Sequence, residues 1–163
     1  MESSNAAISI GGKIRRSDVA GLASALAHDR AAIDWTDFFE EGELADHILN
    51  RAAAKDHLRF CNNDQPWGQY ESIEAFCRQI GLIYVLEYEA GGDWPPGLEY
   101  RSPDMEPGKV RQWPISEIGR GPLIDAENIQ KHLDEGTLAD EIALMTTVHA
   151  FPWPLEIVGD EDL

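Results

Sequence analysis

The sequence predicts an α+β fold: a single compact domain over residues 1–163, with a mainly antiparallel sheet and helices packed on one face. Strand and helix patterns alternate along the chain, which begins with a strand pattern and ends with two helix patterns. The strongest strand pattern, at 82–90, is followed by a turn-rich segment and a further strand pattern at 97–102. That order is typical of an antiparallel hairpin.

A strand and a helix are predicted near the N-terminal end. Isoleucines in residues 8–14 recur on one face of an extended chain, and the Gly-Gly pair between them marks a bulge or a bend. Ser17 is the predicted N-cap of a helix over 18–28, because apolar residues recur there every three or four positions.

The next predicted helix, over residues 36–54, contains a dense run of acids. It begins either at Thr36 or near Gly42, since glycine inside a helix costs about 1 kcal/mol. Its predicted buried side holds Phe38, Leu44, Ile48 and Leu49, and its predicted exposed side holds Glu40, Glu43 and Asp46. Like charges at this spacing repel by a few tenths of a kcal/mol. Replacing Glu40 and Glu43 by lysine is therefore predicted to leave thermal stability unchanged or to raise it.

The middle of the chain is predicted to hold two further strands and a helix. Residues 57–61 alternate as a half-buried strand does, and residues 62–68 have the composition of a turn. Helical spacing over 73–80 predicts a helix that ends at Gly81 in the left-handed conformation. A short strand is predicted near 109–115.

Two helices are predicted towards the C-terminal end. Asp125 is the predicted cap of a helix over 126–135 that ends at Gly136, and a last helix runs from residue 137 to about 145. The prolines that follow suit an extended segment at a sheet edge. Residues 159–163 are predicted to form a flexible acidic tail.

Charge is the unusual property of the composition. Acids outnumber bases by 30 to 13, which gives a formal net charge of −17. Residues 1–33 hold three acids and four bases, so the excess of acids lies beyond them. A field of this sign repels nucleic acid and anionic membranes and attracts basic surfaces. We therefore expect neither direct nucleic-acid binding nor membrane binding.

The sequence also predicts a cytoplasmic location, in the cell that makes the protein or in a host. No apolar run approaches the roughly 20 residues that a membrane helix needs. The N-terminal residues lack the basic and then apolar order of a signal peptide.

Motifs for metals, cofactors and catalysis are missing from the sequence. A calcium loop that begins at Asp37 would place Gly42 correctly, but it would put Phe39 and Ile48 where oxygen ligands are needed. The five histidines are scattered, and Cys61 and Cys77 are expected to be free, buried thiols. No nucleophile elbow, phosphate loop or dinucleotide motif occurs. We therefore expect a protein that is not an enzyme and that holds no metal or cofactor.

Residues 89–106 leave two alternatives open. They contain five carboxylates, beside Trp94 and Tyr100: Glu89, Asp93, Glu99, Asp104 and Glu106. Paired carboxylates with aromatic neighbours are used in glycoside hydrolysis, so a small hydrolase is one interpretation. Alternatively, the segment binds a partner with Trp94 as an exposed anchor, unless Trp94 packs under its own loop.

The function predicted from these observations is binding to a protein with a basic surface, in particular one that binds nucleic acid. The predicted partner-binding residues are Asp37, Glu40, Glu41, Glu43, Asp46, Asp93, Trp94 and Glu99. Rows of such acids would imitate the phosphates of DNA. In size and charge the chain is similar to inhibitors from phages and mobile elements, among them anti-CRISPR and anti-restriction proteins. An acidic accessory or immunity-type domain is the alternative, and the small hydrolase is the second.

Overall fold

The computed structural model describes residues 2–116, 118 and 120–163. Within them the strands are β1 (Ser3–Arg15), β2 (Leu58–Pro66), β3 (Ile83–Tyr88), β4 (Gly97–Arg101), β5 (Arg111–Pro114) and β6 (Leu155–Val158). The helices are α1 (Val19–His28), α2 (Glu41–Ala53), α3 (Glu71–Ile80), α4 (Ala126–Glu135) and α5 (Leu138–Ala150).

The strands form one sheet in the order β2-β1-β3-β4-β5, with every neighbouring pair antiparallel. Strand β6 pairs in parallel with the last residues of β1, Gly12–Arg15. The predicted α+β class and the predicted hairpin are both confirmed, since Val85 lies opposite Tyr100 and Leu86 lies opposite Glu99.

The helices cover both faces of the sheet, which corrects the prediction that they pack on one face. One apolar cluster joins α1, α2 and α3 to the sheet through Tyr84 and Leu86. A second cluster joins α5 to the opposite face through Val85 and Tyr100. Neighbouring residues of a strand point to opposite faces of the sheet. The unbroken apolar run 82–86 is therefore typical of a strand that is buried on both faces.

Helix α2 begins late, as the alternative start near Gly42 predicted. Its N-cap is Glu40, and the predicted cap at Thr36 lies outside the helix. Leu44 and Ile48 are fully buried, as expected. Phe38 precedes the helix and is 46% exposed, so its predicted place on the buried side is wrong.

Ser17 does not cap α1, because a single 3-10 turn, Arg16–Asp18, precedes that helix. The Ser17 hydroxyl donates instead to the Asp160 carboxylate at 2.7 Å. Arg15 also donates to the Leu163 carbonyl at 3.0 Å, so both contacts reach the C-terminal residues 159–163. The flexibility of those residues stays a prediction.

Two elements extend further than their local sequence predicted. Strand β2 continues through residues 62–66, since these pair with the start of β1, and the turn is confined to Trp67 and Gly68. Helix α5 continues to Ala150, so the first residues of the segment predicted as extended are helical, whereas its end forms the strand β6, Leu155–Val158. The C-cap of α5, Phe151, is in the left-handed conformation.

Three predictions at the ends of α3 and α4 are confirmed. Gly81 and Gly136 both adopt the left-handed conformation after α3 and α4. The Asp125 carboxylate accepts a hydrogen bond of 2.8 Å from the Asn128 N–H and so caps α4.

The Gly-Gly pair in β1 allows a close backbone approach. A Cβ atom on Gly11 would overlap the carbonyl oxygen of Trp153, in the segment that leads into β6. Gly12 has a φ of +98° and donates its N–H to the Pro154 carbonyl at 3.0 Å. The pair therefore lets the chain before β6 lie directly against the sheet.

We expect Gly11→Ala to lower the free energy of unfolding by about 2 kcal/mol or more, because the overlapping atom belongs to a backbone that cannot turn aside. Gly42→Ala is the matched control, since nothing lies within 4 Å of its Cβ position on α2. That change should raise stability by about 1 kcal/mol. Urea unfolding midpoints measure both, and equal effects at the two positions would contradict the close approach.

Candidate functional site

Residues 34–46 form an exposed surface that we call the acidic–aromatic surface. All six of its acids are exposed: Asp34, Asp37, Glu40, Glu41, Glu43 and Asp46. Three aromatic side chains lie among them and are also exposed, Trp35 at 38%, Phe38 at 46% and Phe39 at 38%. The segment comprises the loop before α2 and the first turns of that helix.

Backbone hydrogen bonds anchor this loop to the sheet. Ala32 exchanges two of them with Cys61 of β2, at 3.0 and 2.8 Å. Inside the loop, Ile33 donates to the Asp37 carbonyl at 3.2 Å, and the Asp37 N–H donates to the Asp34 carbonyl at 2.8 Å. The loop backbone is therefore held in place while its side chains face solvent.

The start of α2 gives Glu43 a structural role. Its carboxylate accepts a hydrogen bond of 3.0 Å from the Glu40 N–H, as part of a capping box. Losing such a cap costs about 1 kcal/mol, which exceeds the few tenths gained by relieving repulsion. The expectation that lysines at these two positions leave stability unchanged or raise it is therefore revised to a loss.

The acids of this surface make no ion pair with the residues that the structure describes. The neighbouring Arg30 guanidinium lies over the Phe38 ring, 5.2 Å from its centroid. Arg51, at the other end of α2, pairs with Asp56. The surface therefore presents unneutralised negative charge to solvent.

His47 connects the surface to the apolar core. Its ring centroid lies 6.5 Å from that of Phe39 and 5.7 Å from that of the buried Phe60. Burial, and then the positive charge of Arg51, lowers the pKa of His47. The His47 imidazole, neutral at neutral pH, therefore packs against the Phe39 ring and contributes no positive charge near the acids.

The other predicted partner-binding residues, Asp93, Trp94 and Glu99, lie in the β3–β4 loop and in β4. Asp93 is exposed, whereas Trp94 is half-buried. The Trp94 ring packs over Gly91, and its indole N–H donates to the Glu89 carbonyl at 3.1 Å. This is the alternative in which Trp94 packs under its own loop.

Glu99 lies in the interior and does not belong to any exposed surface. It is 6% exposed, and its carboxylate accepts hydrogen bonds of 3.0 Å from the Tyr84 hydroxyl and from the Gln112 amide. Its strand, β4, is buried at every position, so the outward orientation expected for a charged residue is not available.

Among the carboxylates of residues 89–106, Asp104 and Glu106 line one cavity beside Tyr100, whereas Glu89, Asp93 and Glu99 do not line it. Asp93 precedes β4, whereas Asp104 and Glu106 follow it, and the five residues of β4 span about 17 Å. Glu89 accepts a hydrogen bond from Asn5 at 2.9 Å and pairs with Arg120 at 3.4 Å. Paired carboxylates of glycosidases lie about 5–9.5 Å apart, so a pair formed by Asp93 with Asp104 or Glu106 across the length of β4 does not support the hydrolase interpretation.

A buried carboxyl pair that was not predicted from the sequence joins α3 to β4. Glu74 is 4% exposed, accepts the Tyr70 N–H at 2.8 Å and lies within hydrogen-bonding reach of Glu99. Burial, followed by the hydrogen bond and the charge of Glu99, raises the pKa of Glu74 to about 9. The pair therefore holds a proton at neutral pH. One sequence feature indicates that Glu74 is buried. It follows Ile73 and lies three residues before Cys77, which places it on the apolar side of α3.

A second polar cluster lies in a cavity of about 360 Å³ between β5 and α4. There the Glu141 carboxylate accepts hydrogen bonds from Arg111 at 2.5 and 2.6 Å and from the Trp113 indole at 2.8 Å. Burial opposes its ionisation, but the donors from Arg111 and Trp113 outweigh burial and lower the pKa of Glu141. A carboxylate held by these donors ties α5 to β5 and is a poor base.

His132 borders the same cavity. Its Nε2 atom lies 3.8 Å from Glu141 and its Nδ1 atom lies 2.8 Å from the Thr137 hydroxyl.

Both cysteines are free and buried, as predicted, and burial raises the pKa of each thiol. Among the described residues, no group of three or more histidine, cysteine or acidic side chains is arranged to hold a metal. No described helix is both long and apolar enough to cross a membrane.

No family model matches the chain, and no curated protein or solved structure matches it. Its function is therefore inferred from its own residues.

The raised pKa of Glu74 predicts that stability falls as pH rises from about 4.5 to about 9. In this range the unfolded chain releases a proton that the folded chain retains. Glu74→Gln keeps the neutral form and its hydrogen bonds, so we expect it to flatten the decline and to raise the free energy of unfolding at about pH 8 by on the order of 2 kcal/mol.

Glu71→Gln, on the exposed side of the same helix, is the control. Urea unfolding at a series of pH values should separate the two variants most clearly above about pH 7. Parallel pH profiles for Glu74→Gln and the wild type would show that Glu74 is ionised in the folded protein.

Proposed function

We propose that this protein is a non-enzymatic interaction protein that binds and blocks a basic, nucleic-acid-binding surface on another protein. The observation that carries the proposal is the acidic–aromatic surface. There, six exposed acids without ion-pair partners among the described residues surround three exposed aromatic rings. The proposed contact residues are Asp37, Glu40, Glu41, Glu43 and Asp46, with Asp93 as a separate exposed acid.

The net charge of −17 supports a basic partner. Unpaired surface charges act over about a Debye length, which is about 10 Å at 0.1 M salt. They steer an oppositely charged surface into contact and raise the rate of association. A binding site for nucleic acid is such a surface, because it is built from lysine and arginine.

The spacing of the acids on α2 supports imitation of a phosphate backbone. Residues three apart on a helix, such as Glu40, Glu43 and Asp46, rise by about 4.5 Å per step. The phosphates of one DNA strand follow one another at about 3.4 Å along the axis. The two spacings are similar enough for neighbouring cations of the partner to engage successive carboxylates.

The exposed aromatic rings favour binding over mere solubility. A surface that serves only to keep a protein soluble has no use for Trp35, Phe38 and Phe39 in exposed positions. Aromatic side chains bury about 150–250 Å² each and dominate interface energetics. The acids would then accelerate encounter, and the rings would slow dissociation.

The proposal places the protein in the cytoplasm, either of the cell that makes it or of a host. Nucleic-acid-binding complexes are accessible there, as they are to phage and mobile-element inhibitors such as anti-CRISPR proteins. An accessory or immunity-type domain would use the same surface on a partner that does not bind nucleic acid. Competition with nucleic acid distinguishes the two.

We expect Asp37→Lys combined with Asp46→Lys to slow association with the partner by at least about tenfold at low salt. Neither side chain caps α2, so the fold should be retained. The control is Asp134→Lys combined with Glu135→Lys on α4, which changes the net charge equally at two other exposed acids. The partner is captured with the wild-type protein, purified, and studied kinetically at about 50 and about 300 mM salt.

Duplex DNA is added as the competitor in a parallel series. Loss of partner binding as DNA concentration rises supports a nucleic-acid-binding surface, and insensitivity to DNA supports the immunity-type alternative. Equal association rates for the wild type and both charge variants at low salt would reject the acidic–aromatic surface as the contact.

A further inference from the structure

We propose that Trp67, supported by Trp94, is a docking site for an arginine side chain of a basic protein partner. This inference rests on the proposed function only in requiring a basic partner. It concerns a different part of the molecule, where the β2–α3 turn, the β3–β4 loop and the start of β1 meet.

The two tryptophan rings form a supported platform. Trp67 is 54% exposed, and its ring centroid lies 5.7 Å from that of Trp94, at an angle of 46°. The ring of Trp94 packs against Gly91, and its indole N–H donates a hydrogen bond to the Glu89 carbonyl. More than half of the Trp67 side chain is therefore exposed beside a Trp94 ring that is held in place.

The backbone holds Trp67 in a conformation that does not suit a bulky residue. Trp67 and Gly68 have φ values of +55° and +65°, in the left-handed region that favours glycine or asparagine. The turn is closed by hydrogen bonds of 3.0 Å, from Trp67 to the Glu2 carbonyl and from Gln69 to the Pro66 carbonyl. Folding alone would favour a smaller residue at this position, so the exposed indole points to a binding role.

The surroundings of the platform are acidic. Asp64, three residues before Trp67, and Asp93, directly before Trp94, are both exposed, and Asp64 accepts a hydrogen bond from Ser3. Glu2, whose carbonyl accepts from Trp67, has a buried carboxylate oxygen without a hydrogen-bond partner among the described residues. The segments that meet here contain neither lysine nor arginine: 2–12, 60–77 and 79–100. Arg120 reaches this end of the sheet, but it is paired with Glu87 and Glu89.

An arginine side chain fits this arrangement better than a lysine side chain does. A guanidinium is planar, stacks on an indole face and still donates hydrogen bonds at its edge to neighbouring carboxylates. An ammonium is compact and more strongly hydrated, so it gains less from the ring. The site should therefore distinguish two partners of equal charge.

The test compares the affinity of the full chain for nona-arginine and nona-lysine peptides, measured by fluorescence anisotropy. We expect the wild type to bind the arginine peptide more tightly. Trp67→Asn should weaken binding of the arginine peptide by about 2- to 5-fold and leave the lysine peptide unchanged. Because asparagine tolerates the left-handed conformation, the melting temperature of the variant should be unchanged or higher.

Leu133→Asn on α4 is the control, because it removes an apolar side chain that is 55% exposed. Unchanged arginine-peptide affinity in Trp67→Asn, or an equal loss for both peptides, would overturn the docking site. If Asp37→Lys with Asp46→Lys then weakens both peptides more than the α4 charge control does, the proposed function stands without the docking site. If Asp37→Lys with Asp46→Lys weakens neither peptide more than the α4 charge control does, the proposed function fails as well.

Discussion

Backbone pairing along β1 is the constraint on which the rest of the structure depends. Residues Ser3–Ile10 pair with β2, residues 6–11 pair with β3, and residues 12–15 pair with β6. One strand therefore joins segments that are far apart in the sequence, and both apolar clusters form around the sheet that it organises. The acidic–aromatic surface inherits its position from this arrangement, because its loop is bonded to β2 and its helix packs on the same sheet.

Features with a local physical cause could be predicted from the sequence. The left-handed ends of α3 and α4 follow from Gly81 and Gly136, and the start of α4 follows from the capping carboxylate of Asp125. The exposure of Glu43 and Asp46 within α2 also has a local cause, namely the angular separation of charged and apolar residues along the helix.

Features that depend on distant pairing could not be predicted in this way. Residues 62–66 have the composition of a turn, but they complete a strand because the N-terminal residues of β1 lie beside them. The exposure of Trp67 could not be predicted for the same reason, because it depends on where β2 ends. Glu99 looked like an exposed acid in a hairpin, whereas the helices on both faces of the sheet enclose it and bring Glu74 to it.

The buried pair of Glu74 and Glu99 also means that the folded chain carries a stored proton. With Glu74 neutral at pH 7, the folded protein has one negative charge fewer than the formal −17. Unfolding exposes the carboxyl group, which then ionises and passes its proton to the buffer. The heat absorbed on unfolding therefore contains the protonation enthalpy of the buffer, so calorimetric enthalpies differ between phosphate and an amine buffer by the heat of transferring that one proton.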